Sequence, residues 1–187
     1  MIGNIAAGLF GVGVTPSTSS YESIATVSVG SGGAANIEFT SIPSTYKHLQ
    51  IRYIARDTQT ATFVTSPTAS FNGDTGNNYT THYLYGNGST VSAGPNVGTN
   101  EFAWILHTGA NATSGNFAAG ILDILDYAST SKYKTVRALT GGDNNGSGEL
   151  YFNSGLWLNT AAITSIKINA SVNYAQYTQF ALYGIKD

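Results

Sequence analysis

The stretch at residues 42–56, IPSTYKHLQIRYIAR, constrains the fold more than any other part of the chain. Leu49, Ile51, Tyr53 and Ala55 take one side of an alternation, and His48, Gln50, Arg52 and Arg56 take the other. Side chains of an extended strand point to opposite faces with period two. One face is therefore apolar and packs on a core, while the other meets water or a partner. Pro43 fixes the start, because its nitrogen has no hydrogen to give a ladder and the preceding Ile42 is biased to extended geometry. Ile54 alone breaks the pattern, as an apolar residue on the polar face.

The same theme recurs along the chain with weaker alternation. Residues 21–29 and 35–42 read as two strands joined by GSGG at 30–33, a hairpin, with Ile37 and Phe39 facing inward. Residues 57–100 are long, polar and rich in Asn, Gly and Thr, with one short strand expected at 68–72. For Tyr79, His82, Tyr83 and Tyr85, periodicity does not decide between a helical turn and a short strand. A long stretch with little regular structure is usually functional or a place where a partner binds. Strands resume at 101–108 (Phe102, Trp104 and Leu106 on one face), 117–127, 132–140, 149–158, 163–172 and 178–185. The strand at 149–158 carries Leu150, Phe152, Leu156 and Leu158, and GGDNNGSG at 141–148 is a strong turn before it.

No convincing helix is present, and roughly ten strands at about 10–15-residue spacing argue for an all-β sandwich or barrel. The expected architecture is an antiparallel β-sandwich of the jelly-roll type. An immunoglobulin-like sandwich fits less well, because its Cys…Trp…Cys signature is missing. The expected organisation is an N-terminal arm and spacer at residues 1–20, followed by one jelly-roll domain at 21–187.

Charged residues make up 10% of the chain, against roughly 25% in an average soluble protein. With a net charge of −2 and no basic stripe, nucleic-acid binding by phosphate neutralisation is not expected. Cysteine is absent, so there is no disulfide framework, thiolate zinc site or cysteine nucleophile. The opening MIGNIAAGLFGVGVTP lacks the basic start of a signal peptide and is too short and glycine-rich to span a bilayer. Its Ile2, Ile5, Leu9, Phe10, Val12 and Val14 need cover from water. Two readings remain open: a start that tucks onto the domain's own surface, or an anchoring arm in an apolar groove of another chain.

Little in the sequence carries chemistry. His48, His82 and His107 are the only histidines, and no G-x-S-x-G elbow surrounds a serine. His48 and His107 read as surface or capping residues. Asp123 and Asp126 are three apart, so on one strand they face opposite sides and cannot together act as a glycosidase pair. One of them is expected to pair with Arg137 or Lys134 on the neighbouring strand. FNGDTGNN at 71–78, and Asp143, Asn145 and Glu149, have an oxygen-rich look but miss the calcium-loop spacing. The expectation is no catalytic residue, no metal and no cofactor. Tyr79, Tyr83 and Tyr85, with His82, are candidate contact residues, because tyrosine suits interfaces and sugar platforms alike.

Three segments carry a resemblance. MIGNIAAGLFGVG, then YESIATVSVGSGGAANIEFTSIPSTYKHLQIR, and finally ITSIKINASVNYAQYTQFALYGIKD resemble a family of small virion structural proteins of tailed bacteriophages, cyanophages among them. The likeness spans the first third and last fifth of the chain. It implies a jelly-roll protein that cements or decorates capsids, or forms fibres and knobs, with trimers around a local threefold as the usual arrangement. The expected role is a capsid decoration protein on the virion surface, not an enzyme. Its arm would dock on the major capsid protein or another virion protein, without nucleic acid or membrane. The alternative is a tail fibre, spike or knob component that contacts the host, with glycans as the candidate ligand. A carbohydrate-acting enzyme is a third and weaker reading.

Overall fold

A computed structural model describes residues 19–103 and 105–186. The described chain forms thirteen strands in chain order: β1 (Tyr21–Ser28), β2 (Ala34–Phe39), β3 (His48–Ala55), β4 (Val64–Thr65), β5 (Thr68–Phe71), β6 (Tyr79–Gly86), β7 (Val91–Thr99), β8 (His107–Thr108), β9 (Ala118–Leu125), β10 (Lys134–Asp143), β11 (Gly148–Trp157), β12 (Ile166–Tyr174) and β13 (Gln179–Ile185). The main sheet has eight strands in the order β1-β13-β3-β9-β10-β11-β6-β7. A smaller sheet, β2-β12-β5, packs against it, and β4 and β8 form a third pair. Every strand pairing is antiparallel, so the fold is an all-β antiparallel sandwich of jelly-roll type.

The opening stretch behaves as its pattern dictates. Leu49, Ile51, Tyr53 and Ala55 of β3 are buried. They meet Leu122 and Ile124 of β9, Phe180 and Leu182 of β13, and Ile37, Phe39, Ala69, Phe71, Ile166 and Ile168 of the small sheet in one core. Fully burying a side chain of this size contributes about 1.5–3 kcal/mol.

Aromatic rings cover glycines of the main sheet. Phe102 exchanges two backbone hydrogen bonds of 2.8 Å with Ala69 of β5. Its ring crosses the sandwich and lies directly on Gly155 of β11. Tyr53 covers Gly120, its direct partner on β9, and its hydroxyl donates to the Leu106 carbonyl at 2.8 Å. Tyr46 covers Gly184 in the same way.

Arg56, one residue past β3, gathers the loop between β8 and β9. Its Nη1 donates to the carbonyls of Thr113 and Asn116 (3.0 and 2.9 Å), and its Nη2 to those of Ala110 and Ala112 (3.0 and 2.9 Å). The flat fork of a guanidinium suits four acceptors, whereas an ammonium is a compact point charge with three donors. Arg56→Lys is therefore expected to cost about 1–3 kcal/mol and to speed amide exchange at residues 109–116 relative to β9. Unchanged exchange there would remove this role from Arg56.

Several expectations need correction. β1 and β2 do not form a hairpin: β1 pairs with β13 and β2 with β12, in different sheets. The turn at 30–33, with Gly33 at φ +71°, carries the chain from one layer to the other. Residues 57–100 are not a structureless loop; they hold β4, β5, β6 and β7. Residues 101–108 do not form a continuous strand, because Phe102 makes an isolated bridge to Ala69 and only β8 follows. The arm expected at the N-terminus lies outside the described residues.

Candidate functional site

The arm residues Ile2, Ile5, Leu9, Phe10, Val12 and Val14 also lie outside the described residues. The other four candidates all fall on β6, and they do not share a surface. Tyr79 is fully buried, 6.0 Å from Phe71 and 6.3 Å from Trp157 between ring centroids. Its hydroxyl accepts from the Phe71 amide at 3.0 Å, and burial pushes its pKa up to about 12. Tyr79 is thus a core residue and offers no contact to a partner. His82 is exposed on the outer side of the main sheet. Tyr83 and Tyr85 point to the other side, half-buried against Tyr151 at 6.2 and 4.8 Å.

Several titratable side chains are engaged in structural bonds. Asp126, at φ +48° in the turn after β9, takes Lys132 at 2.6 Å and Lys47 at 3.6 Å. The Lys132 hydrogen bond, more than any other contact, holds its carboxyl below the usual range. Its backbone amide donates to His48 Nδ1 at 3.0 Å. Asp123 accepts from Gln50 at 2.7 Å. Asp123 stands directly opposite Arg137 on β10, the cross-strand neighbour expected, but among the described residues the two form no ion pair. Lys134 is buried and donates to the carbonyls of Lys132 and Thr160 (2.8 and 3.1 Å), and burial lowers its pKa. Asp74, in the oxygen-rich loop, accepts from Trp157 Nε1 at 2.7 Å, from Asn78 and from the Gly76 amide. Burial acts to raise its pKa, and these donors together outweigh burial and hold it low. Glu101 ties Thr68 to Asn169 across β5 and β12. Asp143 accepts from the Asn145 amide at 2.8 Å inside its own turn.

His107 departs furthest from expectation. It is neither on the surface nor a cap, but completely buried. Tyr174, Tyr53 and Phe180 surround its ring at centroid distances of 4.9, 5.4 and 5.7 Å. Among the described residues, neither ring nitrogen has a hydrogen-bond partner. Desolvation drives its pKa down to about 3, so the imidazole is neutral at ordinary pH.

What remains is a surface. On β11 the core side is Tyr151, Asn153, Gly155 and Trp157, while Leu150 and Phe152 face out, 55% and 51% exposed. Register links one outward row across the sheet: Arg52, Ile121, Leu139, Phe152, Leu84 and Ala93, each directly opposite the next. Two residues along lies a second row, Ile54, Ala119, Gly141, Leu150 and Gly86. On the opposite side of the first row runs a polar one: Gln50, Asp123, Arg137, Ser154 and His82. A shallow trough of about 420 Å³ runs between Arg52, Ile121, Leu139 and Leu150. Apolar exposure this contiguous is the kind that interaction surfaces show. The sequence signal was Ile54 on the polar face of its strand; Leu150 and Phe152 read there as the apolar residues of theirs, and only the structure turns them outward.

No protein-family model, curated protein or solved structure matches the chain.

Proposed function

We propose that this chain is a non-enzymatic virion structural protein of a tailed bacteriophage, a cement or decoration protein held to the major capsid protein by its N-terminal arm. The observation that carries the reading is the exposed apolar face of the main sheet, where Leu84, Leu139, Leu150 and Phe152 are each about half exposed. Such a face suits a protein whose task is to be covered by others. The two described segments that resemble phage virion proteins also come together in space. Their strands β1, β13 and β3 are neighbours in one sheet, and β2 and β12 are neighbours in the other. Asp74, Glu101, Asp126, His48 and His107 are tied into turns, ladders and the core.

The test is reconstitution on purified heads. The full chain carrying Leu9→Asp and Phe10→Asp is expected to lose most of its head occupancy while keeping its β-sheet circular dichroism. Unchanged occupancy overturns the arm's role. Recovery of the protein with tails rather than heads moves it to the fibre or knob class.

A further inference from the structure

We propose that the outer face of the main sheet is where two copies of this chain meet, sheet to sheet, around a two-fold axis that runs parallel to the strands between β9 and β10. The inference deepens the assembly reading above by naming the partner of this face as the chain itself. It rests on the sheet's size, its charge pattern and its register.

Eight strands at about 4.8 Å spacing span roughly 34 Å, and the eight residues of β9 at about 3.4 Å each span roughly 27 Å. The face therefore covers on the order of 900 Å², close to the roughly 800 Å² per partner that a stable protein pair covers. The strand order β1-β13-β3-β9-β10-β11-β6-β7 has β9 and β10 at its centre. A two-fold axis placed there lays β9 over the second copy's β10 and β3 over its β11. Each cross-strand row then faces its own counterpart, as an isologous contact requires.

The resulting neighbours are complementary. In the first apolar row, Ile121 meets the second copy's Leu139. In the second, Ile54 meets its Leu150. In the polar row, Asp123 meets the second copy's Arg137, and symmetry makes this contact twice. Within one chain Asp123 and Arg137 stand directly opposite on β9 and β10, flanking a hollow of about 290 Å³. Among the described residues they form no ion pair, and Arg137 has no hydrogen-bond acceptor. A second copy supplies the missing charge to both. The chain's own leader does not suit this face, because residues 1–18 contain no Asp, Glu, Lys or Arg to answer Asp123 or Arg137.

The experiment is the solution mass of the full chain by light scattering or sedimentation at micromolar concentration. The expected result is twice the chain mass. Leu139→Lys, at a half-exposed site, is expected to shift the mass to one chain with unchanged circular dichroism. Asp123→Arg alone and Arg137→Asp alone are each expected to weaken association at least tenfold, and the double swap to restore it. Leu9→Asp with Phe10→Asp is expected to leave the pair intact. A single-chain or threefold mass for the unaltered protein overturns the proposal, as does an unchanged mass for Leu139→Lys. Dissociation by the leader variant overturns it too, because the leader is then the occupant. Head occupancy of Leu139→Lys is read separately. If that variant still binds heads, loss of the pair leaves the virion reading standing.

Discussion

Gly155→Ala is expected to lower stability by about 3 kcal/mol, the upper end of what overfilling a close-packed interior costs when it forces side chains off rotamer and shifts backbone. An added β-carbon at Gly155 falls well inside van der Waals contact of two Phe102 ring carbons. The ring cannot retreat, because the Phe102 backbone is bonded to Ala69 from both sides. Nor can β11 move away easily, since Gly155 lies between Val136 of β10 and Thr81 of β6. For a chain of this length the loss corresponds to a melting-temperature drop of roughly 6–12 °C. Phe102→Leu supplies the internal check. It is destabilising alone, and Gly155→Ala is expected to cost less in its background, with a coupling of about 1 kcal/mol or more. A melting temperature for Gly155→Ala within about 2 °C of the unaltered protein would refute the clash.

The second large effect is on acid stability. His107 folds as the neutral imidazole, with a pKa of about 3 in the native state against about 6.5 in an unfolded chain. Below the unfolded value, the unfolded chain binds a proton that the native chain does not, so stability falls as pH falls. The contribution is fully present above pH 6.5 and fades by roughly 1.4 kcal/mol per unit until the native pKa is reached. Asp57, whose carboxyl is raised by burial, acts in the opposite direction over its own narrower window and offsets part of the loss. Tyr53 and Tyr174, which face the imidazole, stay neutral throughout this range because burial raises both. His107→Leu removes the titration and replaces two unpartnered nitrogens with carbon, a change that costs little when both members of a lost bond are absent. Urea unfolding at pH 7 is expected to place the variant within about 1.5 kcal/mol of the unaltered protein. At pH 4 the variant is expected to be the more stable by about 2–3 kcal/mol. Parallel pH dependence of the two proteins would show that His107 does not titrate in this way.

The two results mark where sequence reasoning reaches and where it stops. β3 was legible because all its apolar residues but Ile54 share one parity, and the sandwich followed from the number of such runs. The β6–β7 hairpin was not legible. Its inward side is built from Tyr79, Thr81, Tyr83 and Tyr85, and its edge strand carries Gly94, Pro95 and Gly98, so composition resembles a loop. Pro is tolerated there because β7 is an edge. On β11 hydrophobicity points the wrong way. Asn153 and Gly155 face the core while Leu150 and Phe152 face out, and a one-residue shift in parity exchanges every side chain between faces. Gly155 belongs inside only because Phe102, 53 positions earlier, fills its place. His107 gave no signal, since a buried imidazole without a partner is defined by neighbours from β3, β12 and β13. The surface itself was half legible: Ile54 was visible as an exception, but only register joins it to Leu150.

The position of β13 has a consequence for biosynthesis. β13, the latest in chain order of the described strands, is inserted between β1 and β3, with Tyr21 opposite Ile185, and β12 likewise separates β2 from β5. Neither layer of the sandwich can close on a nascent chain that still lacks β12 and β13. Until those strands emerge, β1, β3, β2 and β5 are left with open edges, which invite pairing with other chains. Folding is then dominated by distant pairings, on the millisecond-to-second scale typical of such topologies.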